Sequence, residues 1–329
     1  MQTGVSLCMI VRNEAEYLDA CLKSADGVAD EMIIVDTGST DSTVEIARRH
    51  RARVVTCSWA NDFSAARNLS LESATGNWIL VLDADEELSR QSREKIPDVI
   101  RTSHADGFEV IVRSEMPETD VMKYEDMMIV RLFRNRKNYR YAMPVHEQIR
   151  GSIEKNGGKI ERSDLLIVHH GYSKKLVQGT VDRGKRNLEI LQKALLHSAD
   201  DPYLHYQTGV TLMSMGRKEE AYSEMKRVLT LDCAGMGSAI LERLFMKMSQ
   251  LALERNENDD AVMYARRCLD YNPANGIAMY VAAVGLLSMN RITDGYQMLL
   301  KIRENGGSNL RLDIQLEHLI KACKELLKI

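Results

Sequence analysis

The chain has 329 residues, of which 44% are hydrophobic and 28% charged, with 20 glycines and 5 prolines. This composition excludes collagen-like, low-complexity and wholly disordered chains, and the length suits two domains of roughly 150 residues each. The formal net charge is −3, so there is no surplus of basic residues to neutralise phosphates. We therefore expect no nucleic-acid partner.

Six cysteines are scattered along the sequence without a C-x-x-C pair, which is typical of reduced thiols in a cytoplasmic protein. No stretch reaches the roughly 20 apolar residues of a membrane-spanning helix. The apolar run at 5–11 is too short for a signal peptide and has no basic segment before it. We expect a cytoplasmic chain with no integral membrane segment.

Strand-like and helix-like segments alternate in the first part of the chain. Short apolar runs rich in valine and isoleucine predict strands buried on both faces, at Val5–Val11, Glu31–Asp36, Ala52–Cys57 and Asn77–Asp83. Capping-box patterns predict helix starts between them, at Asn13–Glu16 and Ser42–Glu45. A third helix should run from about Asp62 to Ala74 and stop at Gly76. This alternation predicts an α/β domain of Rossmann type with a parallel sheet.

Three further segments extend this sheet as a mixed one, at Gly107–Arg113, Met128–Arg134 and Leu165–His169. A long charged helix is predicted from about Ser173. We therefore assign residues 1–172 to a first domain, 173–199 to a connecting helix and 200–329 to a second, helical domain.

The helical part repeats with a spacing similar to that of tetratricopeptide repeats. Small or apolar residues recur at matching offsets, at Gly209, Ala221 and Val228 in one repeat and at Ala261, Cys268 and Pro273 in the next. Ala261 follows Ala221 by 40 residues, whereas the repeat has 34, so one repeat carries extra residues. A last helix should cover 310–327. Because the aromatic consensus positions do not match, an unspecialised helical bundle is the alternative.

Polar residues follow the predicted parallel strands, where ligands bind in open α/β sheets. Asn13 and Glu14 follow the first strand, Asp36 ends the second, and a D-x-D triplet, Asp83 to Asp85, ends the fourth. Carboxylates two residues apart at a strand end can face the same ligand. Since hard divalent cations prefer oxygen ligands and share their remaining positions with phosphates, this edge predicts metal-assisted departure of a diphosphate.

Other phosphate and metal motifs are absent from the sequence. No G-x-G-x-x-G follows the first strand, and there is no G-x-x-x-x-G-K-[ST], which argues against a dinucleotide-dependent dehydrogenase and a P-loop enzyme. His146 and Glu147 begin an H-E pair that lacks the second histidine of a zinc protease.

The runs SLCMIVRNE, IIVDTGSTDST and FSAARNLSLESATGNWILVLDADE resemble family 2 glycosyltransferases of the GT-A fold, over about residues 4–172. With RLFRN, PVHEQI, IVHHGY and the helical repeats, the chain resembles the bacterial subgroup that joins such a domain to tetratricopeptide repeats, near the glycocin S-glycosyltransferases. The resemblance implies a GT-A-type α/β domain followed by an all-α tetratricopeptide-like domain. It also implies metal-dependent, inverting transfer of a hexose from a UDP-sugar to an acceptor, either a peptide or protein side chain (Cys or Ser) or a glycan.

The resemblance also implies a role for each site residue. Asp36, helped by Arg67, would bind the nucleotide base, and Asp83 the ribose. The other residues of the nucleotide-sugar pocket would be Asn13, Glu14 and Ser39, the ligands of Mn²⁺ or Mg²⁺ would be Asp85 and His169, and the catalytic base would be Glu147.

Structural alternatives exist for several of these residues. Asp36 and Asp83 can cap the turns that follow their strands, and Glu147 can form an ion pair with Arg131 or Arg150. His170 competes with His169 for the metal. The Glu-Asp spelling at 125–126 offers a second candidate for the base, which we rank below Glu147.

Two other functions compete with peptide glycosylation. One is a lipopolysaccharide or exopolysaccharide sugar transferase, which would need a basic membrane-facing patch. The other is a tetratricopeptide scaffold that carries an inactive transferase-like domain. A homodimer formed through the repeats is a further expectation.

Overall fold

The structure is a computed structural model that describes residues 4–115, 124–170, 176–304 and 310–328. The chain divides into two compact units, Met1–Arg186 and Asn187–Ile329. The division falls inside the segment 173–199 that the sequence predicts to connect the domains. The domain limits themselves stay a prediction.

The first unit contains one mixed sheet with the strand order β3-β2-β1-β4-β7-β6-β8-β5. Its strands are β1 (Val5–Val11), β2 (Glu31–Asp36), β3 (Arg53–Thr56), β4 (Trp78–Val81), β5 (Glu86–Leu88), β6 (Gly107–Glu115), β7 (Tyr124–Arg134) and β8 (Ile160–His169). Strand β1 pairs in parallel with β2 and β4, and β2 with β3, whereas β7 runs antiparallel to β4 and β6. The prediction of a Rossmann-like α/β domain with a mixed sheet is confirmed.

Helices cover both faces of this sheet. They are α1 (Leu18–Ser24), α2 (Thr43–Arg49), α3 (Phe63–Ser73), α4 (Arg90–Thr102) and α5 (Arg150–Lys155), and α6 (Leu176–His197) follows. Along β1, Leu7 and Met9 join one core cluster while Cys8 joins the other. Alternate side chains of a strand point to opposite faces, so these strands are buried on both sides, as their apolar composition predicts.

The predicted helix starts are partly wrong. Helix α1 begins at Leu18 and its N-cap is Tyr17, so no capping box forms at Asn13–Glu16. Ser42 does precede α2, but its side chain makes no capping hydrogen bond. Helix α3 matches the prediction, since Asp62 caps it by accepting from the Ala65 N–H.

Gly76 has a different role from the predicted one. Helix α3 ends at Ser73 with Ala74 as its C-cap, so Gly76 does not cap it. A Cβ at this position would lie 2.7 Å from Ser6 Oγ and 2.8 Å from Gly4 O. The glycine is therefore required by the close approach of two chain segments at the start of β4.

The second unit is built of antiparallel helix pairs. Besides the last part of α6, its helices in the described ranges are α7 (Pro202–Ser214), α8 (Lys218–Val228), α9 (Ser238–Glu254), α10 (Asn258–Tyr271), α11 (Gly276–Ser288), α12 (Ile292–Glu304) and α13 (Leu310–Leu327). The extra residues of the first repeat lie in the long loop 229–237 and in helix α9. Helix α9 has 17 residues, whereas the corresponding helices α7 and α11 have 13 each. The tetratricopeptide-like architecture is confirmed.

Small residues lie where neighbouring helices meet, both within a pair and between adjacent pairs. Ala221 and Ala261 are fully buried. A Cβ on Gly209 would lie 2.8 Å from Met225 Cγ, and one on Gly285 would lie 2.8 Å from Val262 Cγ2. The recurring small residues of the sequence thus mark positions of close helix packing. In the described ranges, no helix combines the length and apolar character that a membrane crossing requires.

Candidate active site

Side-chain hydrogen bonds join the loops that follow β1 and β2. The Asn13 N–H donates to Ser39 Oγ at 2.9 Å, and Asn13 Oδ1 accepts from the Thr40 N–H at 2.7 Å. The Glu14 N–H donates to Thr43 Oγ1 at 2.8 Å. Asn13 has φ +59°, a left-handed conformation that asparagine tolerates better than most residues. The structure therefore brings Asn13, Glu14 and Ser39 together at the carboxyl edge of the sheet.

The carboxylate of Asp36 is buried and turned toward its own loop. It accepts hydrogen bonds from the backbone N–H groups of Gly38, at 3.3 Å, and Ser39, at 3.1 Å. Gly38 has φ +107°, which favours glycine. Asp36 thus stabilises the turn that follows β2, which is the structural alternative to nucleotide binding.

Five charged side chains from distant parts of the sequence form a chain of ion pairs, in which the central Asp83 is 35% exposed and the other four are largely buried. Arg67 donates through Nε to Glu147 at 2.5 Å and through Nη2 to Asp83 at 2.7 Å. Arg131 donates through Nη2 to Asp83 at 2.7 Å and to Glu86 at 2.6 Å. We call this Glu147–Arg67–Asp83–Arg131–Glu86 series the charge chain. It connects the loop before α5 with the loop between β4 and β5.

The two ends of the Asp83–Glu86 segment have opposite pKa shifts. Burial opposes ionisation of Asp83, but the charges of Arg131 and Arg67 hold its pKa well below the ordinary value. Burial raises the pKa of Glu86 to about 7, against the charge of Arg131. The Asp83 N–H also donates to Glu86 Oε2 at 2.8 Å. Asp83 is therefore the carboxylate that stays ionised between the two guanidinium groups.

Asp85 has a different partner from Asp83. Strand β4 ends at Val81 rather than at Asp83, so the D-x-D triplet lies in a turn and strand alternation does not fix its side chains. His169 Nε2 lies 3.2 Å from Asp85 Oδ2, and His169 Nδ1 lies 3.0 Å from Ser114 Oγ. The hydrogen bond to Asp85 raises the pKa of His169.

The neighbouring histidine has its own acid. His170 Nε2 lies 3.2 Å from Glu87 Oε1, so the two histidines at the end of β8 contact two different carboxylates. Of the two, His169 contacts the carboxylate of the second aspartate of the D-x-D triplet, whereas the His170 N–H donates to the backbone carbonyl of Asp85 at 2.9 Å.

Glu147 lies in a strained loop held against α3. Backbone hydrogen bonds between Ala142 and Gln148 close this loop, in which Met143 has φ +79° and His146 has φ +57°. The Phe63 N–H donates to the Pro144 carbonyl at 2.9 Å. Two non-glycine residues in the left-handed region cost of order 1 kcal/mol or more each, and such strain is concentrated at functional sites.

The donor atoms near Asp85 suit a divalent cation only in part. Asp85 and His169 bring a carboxylate oxygen and an imidazole nitrogen together, and both donor types bind transition-metal cations. No group of three or more acidic, histidine or cysteine side chains is arranged to hold an ion in the part of the chain that the structure describes. A bound ion would therefore need further ligands from a substrate or from water.

The sequence predicted Arg131 or Arg150 as the ion-pair partner of Glu147, and this was wrong, because Glu147 pairs with Arg67. Sequence reasoning did not place Arg131 in the site, and it missed Glu86. Arg131 lies within the apolar run MMIVRLF and is only 8% exposed. A cation at a buried strand position needs an acid partner, so its position in that run was the available signal. The Asp126 of the alternative base motif pairs with Arg113 at 2.7 Å.

Residues 6–156 match the family model described as glycosyl transferase family 2. The first unit contains a family 2 glycosyltransferase domain. This domain includes every predicted site residue except His169.

Two curated relatives extend the similarity beyond this domain. A TPR repeat-containing protein of Synechococcus elongatus is 38% identical over 233 residues, covering 68% of this chain and 56% of its own length. The SPbeta prophage-derived glycosyltransferase SunS of Bacillus subtilis is 26% identical over 304 residues, covering 88% of this chain and 69% of its own. The chain thus spans little more than half of the Synechococcus relative.

A solved structure, Staphylococcus aureus TarS, has a TM-score of 0.46 at 13% identity, with 78% of this chain and 54% of TarS covered. A similarity at this level adds nothing about function.

Proposed function

We propose that the chain is a metal-dependent, inverting glycosyltransferase that moves a hexose from a UDP-sugar to an acceptor. The observation that carries the proposal is the Asp85–His169 pair at the carboxyl edge of the sheet in a family 2 glycosyltransferase domain. Mn²⁺ or Mg²⁺ held there would complete its ligand set with the donor diphosphate and supply Lewis-acid stabilisation of the leaving group.

The nucleotide would bind among the joined loops after β1 and β2. Asn13, Glu14 and Ser39 supply polar groups there, and Asp36 lies at the base of the same turn. In this proposal Arg67 assists the nucleotide site indirectly, because two of its nitrogens already donate to acids. Asp83 would accept from a ribose hydroxyl with the lone pairs that the two arginines leave.

Glu147 is the proposed base. It would take the proton of an acceptor hydroxyl or thiol as that oxygen or sulfur attacks the anomeric carbon, while the bond from that carbon to the phosphate oxygen breaks and UDP leaves. The ion pair with Arg67 supports this role by fixing the orientation of the carboxylate, whose side chain is 13% exposed.

The acceptor in this proposal is a peptide or protein side chain, either Cys or Ser. Stacked helix pairs form concave surfaces that bind extended peptides, and the second unit is built of such pairs. A glycan acceptor is the alternative to this proposal, and a cytoplasmic location and a homodimer through the repeats stay expectations.

Calorimetric titration of the full chain with UDP, with Mn²⁺ and with EDTA, tests the donor site. We expect tighter binding with Mn²⁺, and we expect the Asp85→Asn variant to lose that gain. The control is Glu87→Gln, since Glu87 contacts His170 instead and should keep the metal response. The proposal fails if the wild-type chain binds no UDP in either buffer.

A further inference from the structure

Helix α9 carries two cations on the side that faces away from its partner helix. Phe245 packs toward α10, where its ring centre lies 6.4 Å from that of Tyr264 and 6.1 Å from that of Tyr271. An α-helix turns once in 3.6 residues, so Arg243 and Lys247 lie one turn apart on the side opposite Phe245. The two side chains form one positive patch, which we call the α9 cation pair.

No acidic side chain balances the α9 cation pair in the described ranges, where neither of its members forms an ion pair or a hydrogen bond. The two acids of α9 are engaged elsewhere. Glu242 accepts from the side-chain amides of Asn272 and Asn275 at 2.7 and 2.9 Å. Glu254 pairs with Lys218 at 2.7 Å. Helices α7 and α11 contain no acidic residue, so this side of α9 is positive.

The two members of the pair differ in exposure. Arg243 is exposed, whereas Lys247 is half-buried. Burial lowers the pKa of Lys247, and repulsion from Arg243 lowers it further. Partial burial of a charge that has no partner opposes folding. A carboxylate bound beside the ammonium group would offset that cost, because an opposite charge nearby favours the charged form.

Polar and apolar groups of the flanking helices extend this surface. Met246, one residue before Lys247, has its Sδ 3.9 Å from Nδ2 of Asn275, the N-cap of α11. Tyr206 of α7 packs in the core cluster that also contains the buried residues of α9. Tyr206 is only 5% exposed, and its hydroxyl makes no hydrogen bond in the part of the chain that the structure describes. Since buried donors usually have a partner, this hydroxyl is a further group that a ligand can satisfy.

We propose that the α9 cation pair binds an acidic segment of a peptide. The inference rests on the proposed function only in taking this peptide to be the acceptor. The guanidinium group of Arg243 presents paired N–H donors that match a carboxylate, and Lys247 supplies a second positive charge. Side chains one helical turn apart are about 6 Å from each other, and alternate side chains of an extended peptide are roughly 7 Å apart. Two acids separated by one residue therefore match the pair.

Charge complementarity favours this partner. The chain as a whole has a formal net charge of −3, yet the face of α9 that carries the pair has cations alone. An acidic peptide is repelled by most of such a chain and attracted at this face, so its charge selects the place where it binds.

Fluorescence anisotropy of a labelled (Gly-Glu)4 peptide with the full chain tests the inference, with (Gly-Gln)4 as the neutral comparison. We expect the wild type to prefer the acidic peptide. Arg243→Gln and Lys247→Gln should each weaken its binding about fivefold and leave the neutral peptide unaffected. Lys301→Gln removes the same charge from an exposed position of α12 and should match the wild type.

A charge reversal sharpens the test. The double variant Arg243→Glu and Lys247→Glu should bind (Gly-Lys)4 more tightly than (Gly-Glu)4. Circular dichroism shows whether each variant folds. Should Lys247→Gln not fold, Arg243→Gln decides alone, because Arg243 is exposed and its substitution leaves the core intact.

Several results would overturn the inference. Equal affinity of the wild type for the acidic and neutral peptides is one, and an equal loss in Lys301→Gln is another, since net charge alone would then explain binding. Tighter binding of an eight-nucleotide oligothymidylate than of (Gly-Glu)4 would identify a nucleic-acid surface instead. The UDP titration judges the proposed function separately. A chain that prefers the acidic peptide but binds no UDP would keep this surface and lose the proposed transfer.

Discussion

At the scale of single residues, the site is dominated by acids whose partners set their roles. Asp83 contacts two arginines, Asp85 contacts His169, and Glu147 contacts Arg67. The sequence presents all of them simply as acids near strand or loop ends. Their different roles come from partners that are far away in the chain, so substitutions at single positions should separate them.

Glu147 should affect transfer more than donor binding. We expect Glu147→Gln to lower the rate of sugar transfer by about 10²–10⁴-fold, because a glutamine cannot accept the acceptor proton, with UDP affinity little changed. Glu154→Gln makes the same chemical change at an exposed ion pair of α5 and should keep full activity. Loss of UDP binding in Glu147→Gln would make Glu147 a structural residue.

Arg67 should contribute strongly to stability. Arg67→Leu leaves the ionised Asp83 and Glu147 without one of their cations, and breaking a buried pair in this way costs about 3–5 kcal/mol. Arg90→Leu is the control, since Arg90 pairs with Glu94 at an exposed position on α4 and such pairs contribute about 1 kcal/mol at most. Urea unfolding measures both, and equal losses would show that the charge chain is not needed for stability.

Glu14 should make the stability depend on pH. Its pKa in the folded chain is about 7, raised by burial and by Asp85. A raised carboxyl pKa adds stability below its unfolded value, and that stability is lost as pH rises through the folded value. We expect the free energy of unfolding to fall between about pH 4.5 and 7, and less so in Glu14→Gln. Glu45→Gln, at an exposed position on α2, should keep the wild-type profile.

At the scale of elements, the apolar pattern of the sequence predicted most of the strands. The charged residues of the sequence did not predict which ion pairs form. Strands β1, β2 and β4 follow from runs of valine and isoleucine, because burial on both faces requires them. Strand β5 has only three residues, EEL, and pairs with β8, about 80 positions away. Helix α4 contains Pro97, which usually ends a helix. The local sequence therefore predicts neither β5 nor α4. It also does not predict that Asp83 and Glu86 pair with Arg131.

The helical repeats offer a matched pair of glycines on α11. A Cβ at Gly285 would lie 2.8 Å from Val262 Cγ2, whereas one at Gly276 meets nothing within 4 Å. We expect Gly285→Ala to cost about 1–3 kcal/mol of stability through overpacking, and Gly276→Ala to be neutral or slightly stabilising. Thermal unfolding of the two variants and the wild type measures these stability changes. A neutral Gly285→Ala would mean that α10 and α11 can move apart at no cost.

At the scale of the whole molecule, helix α6 crosses the division between the two units. Leu188, near its middle, is buried in the core of the second unit with Tyr206 and Leu212. The sequence placed the helical domain at 200–329, because no local pattern tells a connecting helix from one that packs into a domain.

Fragments of the second unit test that boundary. We expect a fragment 200–329 to be less stable than a fragment 187–329 by at least about 2 kcal/mol, the contribution of the one buried side chain of Leu188, since the shorter fragment also lacks the buried Ile190 and Leu191. Urea unfolding followed by circular dichroism measures the difference. Equal stability would support the boundary at 200.

The crossing helix also limits how such a protein can be recombined. Arg186 stacks on Phe63 of the first unit, and Leu188, two residues later, belongs to the core of the second. A chimera of two related chains would take the whole of α6 from one parent. If α6 comes with the second unit, the first unit loses its own Arg186. If α6 comes with the first unit, the second unit loses its own Leu188. Exchange of repeats between family members would succeed only where the incoming α6 carries both side chains in the same register.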